Sequence, residues 1–566
     1  MSLMGALNVG KSALAVTQAQ LQVTGNNIAN AGNADYTRQV AAASSSKDQI
    51  LSGSQFIGTG VNLQSITRQI DEALEGRLRG AISDDNAADT TQQWLGQVQS
   101  VFNELSDNDL STQASTFFKG WSDLANSPQD NGLRQIVIQN GKALATGFNG
   151  LRSQLFDLQS SVNERMKGLA TNANGLAQQV ADLNSQIVVA EGGSGSGANS
   201  LRDARDAVIK QLSELMDVKT IQEANGNVNV YAGSEPLVIG GDNRGIATKQ
   251  STVAGKSSLD LVFARDGGTV SVSSGQLGAL TSVSASIDGV ADQVDSLANN
   301  LIFELNKVYS SGQGLNGFNS VTSSNPVDDA TLALNDPKAG LNFTPTNGSF
   351  VVHVKDKSTG QVTSTLVQVD LDGLNGNDTT LNSLSTSLGA ISGVQASISG
   401  GKLTIAGASS NIELTFSQDS SGALAAIGVN NYFTGSDASD IAVNSVLQAQ
   451  PSLLAAAKNG QSGDNQTALA ISQLESAGMK GLNGQSLKDA YQSMVNQVSV
   501  SVAGAQTNAE AAKNVHDTLD SQRQALSGVS LDEEAINLVR QQRAFQGAAR
   551  LVSAVDELFR TLLAIT

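Results

Sequence analysis

Gly5-Ala-Leu-Asn-Val-Gly10-Lys11-Ser12 fits the glycine-rich phosphate-loop pattern at every position. Such a loop works when a buried strand delivers the turn to a helix N-terminus, whose amides then cradle the phosphates. Only four residues precede Gly5, too few for that strand, and Leu7 inside the supposed loop opens a heptad stripe. Gly312-Gln-Gly314-Leu-Asn-Gly317 has the dinucleotide spacing but follows a helical pattern instead of a strand, which makes it a loop. Asp370-Leu-Asp372-Gly-Leu-Asn375-Gly-Asn-Asp378 offers oxygen ligands of the calcium-loop kind, yet Leu374 and Leu381 stand where the third ligand and the bidentate glutamate belong. His353 lies in a strand pattern and His516 on a helix, with neither an HExxH pair nor a nucleophile elbow to support them. The residues able to do chemistry thus give no catalytic, cofactor or metal site, and the expectation is a protein that is not an enzyme. A secreted nucleotide- or sugar-processing enzyme is the rival reading.

Composition sets the next bounds. A chain of 566 residues implies several domains. Its 34 Lys and Arg against 52 Asp and Glu give a net charge of -18, and no basic cluster interrupts it, which argues against nucleic acid and anionic membranes as partners. The charge is unevenly placed. Residues 1 to 50 carry three cations against two anions and residues 531 to 566 four against five, so the acidity resides between two nearly neutral ends. Neutral ends can pack against copies of themselves while an acidic middle stays dispersed in water. With no cysteine, disulfides and thiolate metal sites are excluded. No apolar run has the length of a membrane helix, and no h-region of a cleaved signal peptide is expected.

The elements that would position any site are mostly helices. After Gly528, Ser530 is a hydroxyl N-cap with Glu533 three residues on, and no proline follows. Leu531, Leu538, Phe545, Val552 and Phe559 then recur every seven residues, with Ala548, Val555 and Leu562 three positions beyond the last three. That is a coiled-coil seam on a helix of about 50 Å, too amphipathic to be stable alone. Leu7, Leu14, Leu21 and Ile28 repeat the spacing at the other end, with Val9, Val16 and Val23 as a weaker second stripe, so the two termini are expected to pair. The Asn-rich stretch from Thr24 to Gln39 ends or bends the first helix, and residues 40 to 62 read as extended or mobile.

Helical periodicity is expected from Leu63 to Pro128, with breaks near Gly80 and Asp107, and again in a long rod from Leu151 to Ile187. Gly192 to Gly197 reads as a flexible turn before a helix over Leu201 to Met216. A period of two marks strands near residues 227–231, 259–263 and 269–273, then a helix runs from Ile287 to Tyr309. Strands near 350–354, 366–370 and 412–416 and a helix at Leu381 to Leu388 follow, and a last helical stripe covers Leu487 to Leu526. The fold class expected is multidomain α+β: paired terminal coiled-coil helices and a long-helix stalk carrying inserted β-rich domains. Expected boundaries are 1–62 for the N-terminal polymerisation segment, pairing with 529–566; 63–216 with 441–528 for the stalk; 217–312 for a β-rich domain closed by a helix; and 313–440 for a second mixed α/β insertion.

The two ends together resemble a known family. Gly25-Asn-Asn-Ile-Ala-Asn30 is similar to the motif near the N-terminus of bacterial flagellar rod, hook and hook-associated proteins, and Tyr36-Thr-Arg-Gln39 is similar to the form in hook–filament junction members. Glu533-Glu-Ala535, Gln541-Gln-Arg-Ala-Phe-Gln546, Ala549-Arg550 and Leu558-Phe-Arg-Thr-Leu-Leu563 resemble the C-terminal signature of the same members. Asp35 before the Tyr, Gln541 and Gly547 depart from the pattern. Flagellin lacks the Asn-Asn-Ile-Ala-Asn motif, and hook protein lacks the long helices read in the middle.

The resemblance implies a structural adaptor of the flagellum, a ring at the hook–filament junction needed for filament attachment and motility. It implies terminal helices lining an inner tube, and partners that are copies of the chain, hook protein, the next hook-associated junction protein and a cytoplasmic export chaperone on the C-terminal helix. It further implies secretion through the flagellar type III export apparatus to the extracellular flagellum without a cleaved signal peptide. The assembly-interface residues expected are Leu7, Leu14, Leu21, Asn26, Asn27, Ile28, Asn30, Tyr36, Arg38, Leu538, Phe545, Val552, Val555, Phe559 and Leu562.

Overall fold

The computed structural model describes residues 3–52, 55–102, 109–192, 197–253 and 256–565. Along the chain, α1 (Leu3–Ala29) leads into β1 (Gln39–Ser45), β2 (Gln49–Ser52), β3 (Gln55–Ile57) and β4 (Val61–Arg68). Helices α2 (Glu72–Phe102), α3 (Leu110–Asn126), α4 (Asn131–Glu191) and α5 (Asn199–Leu215) follow. Then come β5 (Val218–Gln222), β6 (Val228–Ala232), β7 (Glu235–Ile239), β8 (Asp242–Asn243), β9 (Ile246–Val253), β10 (Lys256–Phe263) and α6 (Gly275–Tyr309). The next stretch holds β11 (Ser320–Thr322), β12 (Gly348–Asp356), β13 (Val362–Val369), α7 (Leu381–Gly389), β14 (Val394–Ser399), β15 (Lys402–Gly407) and β16 (Ile412–Ser417). Short helices α8 (Ala423–Ile427), α9 (Ser445–Ala449) and α10 (Gln466–Gln473) lead to α11 (Leu487–Ser527) and α12 (Leu531–Ile565). The class is α+β, as the sequence patterns require.

The chain divides into two compact units: one comprises Met1–Trp94, Ser161–Ser284 and Ala503–Thr566, the other Leu95–Ser160 and Ala285–Val502. In the first unit, β1 and β4 form an antiparallel ribbon with Gln39 opposite Arg68 and Val61 opposite Ser45. Strands β5 to β8 make an antiparallel meander, and β9 pairs with β10. The α4 stripe packs inward here through Val162, Met166, Leu169, Ala173, Leu176, Val180 and Ile187, while Leu183 is half-buried. Asn184, on the same helix, fixes the meander. Its side chain donates to the carbonyls of Val228 at 2.8 Å and Gly240 at 2.7 Å and accepts from the Val228 amide at 3.1 Å. A buried amide satisfied this fully joins helix to sheet with a single register.

In the second unit, the sheets β13-β12-β16 and β11-β15-β14 share one core with α7, built from Phe350, Val352, Val369, Leu384, Leu403, Ile405, Leu414 and Phe416. A separate aromatic cluster joins Phe117 and Trp121 of α3 to Tyr309, Tyr432 and Phe433. Trp121 and Tyr432 meet edge-on at 5.4 Å, a geometry that adds to area burial.

Four local expectations are corrected. Helix does not begin at Leu63: Val61–Arg68 is strand, because its β-branched run pairs with β1, and α2 waits for Asp71, whose carboxylate caps the amides of Ala73 at 2.9 Å and Leu74 at 3.1 Å. There is no break at Gly80; α2 runs through it, since Leu74, Leu78, Ala81 and Ile82 are buried on both sides and a mid-helix glycine costs only ~1 kcal/mol. Residues 269–273 do not form a strand and contribute one isolated bridge, Thr269 to Val262. Helix α6 starts at Gly275, twelve residues before Ile287, because Gly275 adopts φ +72° against the Leu215–Met216 backbone, where a β-carbon would collide. The break near Asp107 and residues 193–196 of the Gly192–Gly197 turn lie outside the described residues.

Tyr432 supplies a test. It is fully buried, donates to the Val137 carbonyl at 2.8 Å, and lies where a β-carbon on Gly141 would meet its ring at 2.7 Å. Alanine normally favours a helix over glycine by ~1 kcal/mol. Gly141→Ala should instead destabilise this unit by roughly 2 kcal/mol, whereas Gly150→Ala on the same helix, with open space around it, should be neutral or stabilising. Urea unfolding of both variants checks the opposite signs.

Candidate assembly interface

Helices α1 and α12 pack antiparallel within the first unit. Gly10 faces Val552, Thr24 donates to the Gln541 side chain at 2.9 Å, and Asn27 reaches Glu534, so partner numbers fall as α1 numbers rise. The buried line on α1 is Gly10, Val16, Val23, Thr24 and Asn27; on α12 it is Glu534, Ala548 and Val555. These are mostly small or β-branched residues, which let two backbones approach closely. A β-carbon on Gly10 would come within 2.7 Å of the Val552 Cγ2.

At the root of the pair the packing is polar. Asn27 is 2% exposed; its Nδ2 donates to the Gln39 carbonyl at 3.0 Å and to Glu534 Oε2 at 3.3 Å. Its Oδ1 accepts from the Gln39 amide at 3.1 Å and from the Tyr36 hydroxyl at 2.8 Å. One side chain thus ties the last turn of α1 to the start of β1 and to the first turn of α12. Glu534, also 2% exposed, receives Arg38 Nε at 2.9 Å and Nη2 at 2.8 Å. Arg38 also reaches Glu533 at 2.9 Å, and its amide donates to the Ser527 carbonyl at the end of α11 at 2.9 Å. Burial, together with Asp203 and Glu534 nearby, pushes the Tyr36 phenol up to about 12, so it stays protonated and can donate to Asn27.

The network continues outward. The Thr37 amide points to Asp203 at 3.5 Å, and Arg68 pairs with Asp203 at 2.9 Å and Asp206 at 2.7 Å, fastening the ribbon to α5. Arg523 of α11 pairs with Glu75 of α2 at 3.2 Å and donates to the Ala34 carbonyl at 2.8 Å. The turn after α1, the ribbon and helices α2, α5, α11 and α12 therefore meet around a chain of charge-assisted hydrogen bonds.

The residues singled out from the sequence fall into three sets. Asn27 and Val555 are buried; Leu7, Leu14, Leu21, Ile28, Asn30, Tyr36, Arg38, Leu538, Phe545, Val552 and Phe559 are half-buried; Asn26 and Leu562 are exposed. The valine stripe read as secondary, Val16 and Val23, is more buried than the leucine stripe. Arg523 was not singled out, and Glu534 and Gln541 were read only as parts of the C-terminal resemblance and not as interface residues; Glu534 sits where an acidic first helical turn is expected anyway.

The other motifs take ordinary roles. Gly5 to Ser12 lies inside α1, with its amides in a helix instead of a cradle, and the Ser12 hydroxyl bonds the Val9 carbonyl at 3.0 Å. Gly312 to Gly317 is a loop whose Gln313 amide bonds the Ala457 carbonyl at 2.7 Å. Carboxylate oxygens of Asp370, Asp372 and Asp378 lie within 4.8 Å of one another, but the loop's own Gly373 and Leu374 amides and Asn377 bond them. Both ring nitrogens of His353 meet serine hydroxyls, of Ser364 and Ser417, at 2.7 Å, and burial lowers its pKa. His516 bonds Asp85 at 2.7 Å.

Known proteins match both the ends and the middle. Residues 7–32 match the model described as "Flagella basal body rod protein", residues 521–565 "Flagellar basal body rod FlgEFG protein C-terminal", and residues 95–322 "Flagellar hook-associated protein FlgK helical domain". A paired, locked set of terminal helices with those matches defines a structural protein of the bacterial flagellum. Flagellar hook-associated protein 1 of Escherichia coli is 26% identical over 580 residues, covering 99% of each chain. Its Bacillus subtilis counterpart is 26% identical over 565 residues, 98% of this chain and 96% of that one. The chain is thus similar along nearly its whole length to flagellar hook-associated protein 1 of two bacteria. A solved structure titled as the flagellar hook junction protein FlgK from Burkholderia pseudomallei covers 80% of this chain and all of its own, at 15% identity and a TM-score of 0.49.

The adjacent asparagines give a sharp comparison. Asn27→Ala strands the Gln39 amide and carbonyl, the Tyr36 hydroxyl and Glu534 together, and should cost roughly 3 kcal/mol or more. Asn26→Ala, at an exposed helical position, should change stability by less than ~0.5 kcal/mol. Urea denaturation followed by far-UV circular dichroism separates the two; equal effects would show that the buried network does not hold the termini.

Proposed function

We propose that the protein is a non-enzymatic adaptor that assembles with copies of itself into a ring at the hook–filament junction, using α1 and α12 as its contact zone. The observation that carries this reading is apolar surface left exposed along and beside the packed line of α12. Leu551 and Leu558, 40% and 53% exposed and seven residues apart, flank the Ala548 and Val555 line on the side opposite Val552 and Phe559, and Leu562, 50% exposed, continues that line seven residues beyond Val555. Burying three such leucines against neighbouring copies supplies several kcal/mol per subunit, and the near-neutral terminal helices let copies approach.

Of the residues expected at the interface, Asn27, Tyr36 and Arg38 act by holding α12 at its angle, while Leu562 and Asn26 contact neighbours directly. The half-buried Leu7, Leu14, Leu21, Phe545 and Phe559 do some of both. Hook protein lies on one side of the ring and the next hook-associated junction protein on the other. Before export through the flagellar type III apparatus, the open leucine face of α12 needs cover, which suits a cytoplasmic chaperone on the C-terminal helix. No helix among the described residues is long and apolar enough to cross a membrane.

The test compares two faces. Leu558→Asp should leave the unfolding midpoint of the isolated protein unchanged while abolishing attached filaments, because the carboxylate is hydrated in the free chain and desolvated only on assembly. Phe559→Asp, half-buried one heptad beyond Val552, should lower both. Cells making Leu558→Asp protein at normal levels with attached filaments at wild-type frequency would overturn the proposal.

A further inference from the structure

A cleft of about 510 Å³ opens in the first unit between the start of α2, the middle of α5 and strand β5. Gly76, Arg79, Arg205, Ile209, Lys219 and Thr220 line it. Both arginines are nearly buried, at 8% and 1% exposure, in a chain whose net charge is -18. Among the described residues neither has a carboxylate within hydrogen-bond distance. Arg79 has a single hydrogen bond among the described residues, from Nη2 to the Thr220 hydroxyl at 3.0 Å. Arg205 donates from Nη1 to the Asn184 side chain at 3.1 Å and the Gly226 carbonyl at 2.7 Å; its Nε is unpartnered, with Asp206 no nearer than 3.9 Å.

The neighbouring arginines show what a paired cation looks like here. Arg68 holds Asp203 and Asp206 at 2.9 and 2.7 Å, and Arg202 holds Glu191 at 2.8 Å. Two carboxylates belong to the cleft, Asp206 and Glu72. Asp206 is already engaged by Arg68, and Glu72 is exposed on the first turn of α2. Burial lowers the Arg205 pKa to about 10, the direction expected of a cation short of negative charge. Buried guanidinium groups are normally matched by carboxylate or phosphate oxygens, to which their donor fork is fitted.

We propose that this cleft binds a small tetrahedral oxyanion of the phosphate or sulfate class, held by Arg79 with Lys219 at the rim, and with Arg205 beneath as a fixed positive charge. Gly76 leaves the approach to the Arg79 guanidinium open: a β-carbon there would stand 3.9 Å from Nη2. The bound anion would join α2 to β5 and so brace the ribbon-bearing half of the unit against the meander, a role independent of the terminal helices.

Titration calorimetry of the full chain with inorganic phosphate, at constant ionic strength in chloride, tests this. One saturable site is expected in the wild type, weakened roughly tenfold or more by Arg79→Gln and by Lys219→Gln, the loss that follows removal of one charge-assisted hydrogen bond. Lys219 is exposed, so its replacement does not threaten the fold. Sulfate should compete with phosphate for the site. Absence of saturable phosphate binding in the wild type, or wild-type affinity in both variants, would overturn the proposal.

Discussion

The arrangement of the termini depends on a carboxylate taken out of water. Glu534 sits in the first turn of α12 and is almost wholly buried, a position that costs several kcal/mol unless a cation and hydrogen-bond donors meet it. Arg38 and Asn27 meet it, and both come from the other end of the chain. The acid also lies at a helix N-terminus, where unpaired amides and the helix dipole favour negative charge. Because removal of any partner leaves a buried ion uncompensated, the network has one low-energy geometry. That geometry sets the register of α12 on α1.

With the root fixed, the rest of the pair follows from side-chain size. The helices touch along Gly10, Val16, Val23, Ala548 and Val555, and the larger Leu and Phe residues flank this line half-exposed. Close approach through small residues maximises contact between backbones, and it leaves the bulkier side chains on the shoulders. The helix pair is therefore not closed on itself. It presents a continuous apolar shoulder on which Leu551, Leu558 and Leu562 are about half exposed. A free-standing protein gains nothing from such a face, whereas a subunit of a polymer does.

The second unit uses a different device. Its mixed sheets and α7 form an ordinary apolar core, and the aromatic cluster around Tyr432 packs where Gly141 removes a side chain from α4. Polar side chains such as Asn306, which accepts from the amides of Tyr432 and Phe433 and donates to the Phe433 carbonyl, fix the loop that carries those rings. In both units a buried asparagine bonds to main chain that is distant in sequence. This gives register to segments that hydrophobic contact alone would leave free to slide.

Periodicity by itself determined the long helices, because a 3.6-residue repeat sustained over many turns has no other stable reading: α1, α4, α11 and α12 lie where their stripes place them. It likewise placed β12 and β16, whose alternation is short but strict, and the Asn-rich stop after α1. Periodicity failed where two patterns overlap, as at Leu63, where residues three apart mimic a helix but β-branching and a partner strand decide otherwise. The motif at Asn27, Tyr36 and Arg38 was legible as a resemblance, yet its physical role was not. A sequence shows that an asparagine is present but not that its amide will be enclosed by the Gln39 backbone and Glu534, more than five hundred positions further on. Which stripe of an amphipathic helix is inside is equally a tertiary matter. The Leu7–Ile28 line is the more hydrophobic, but the Val16–Val23 line is buried, because the helix separation set at the root admits only small side chains between the axes.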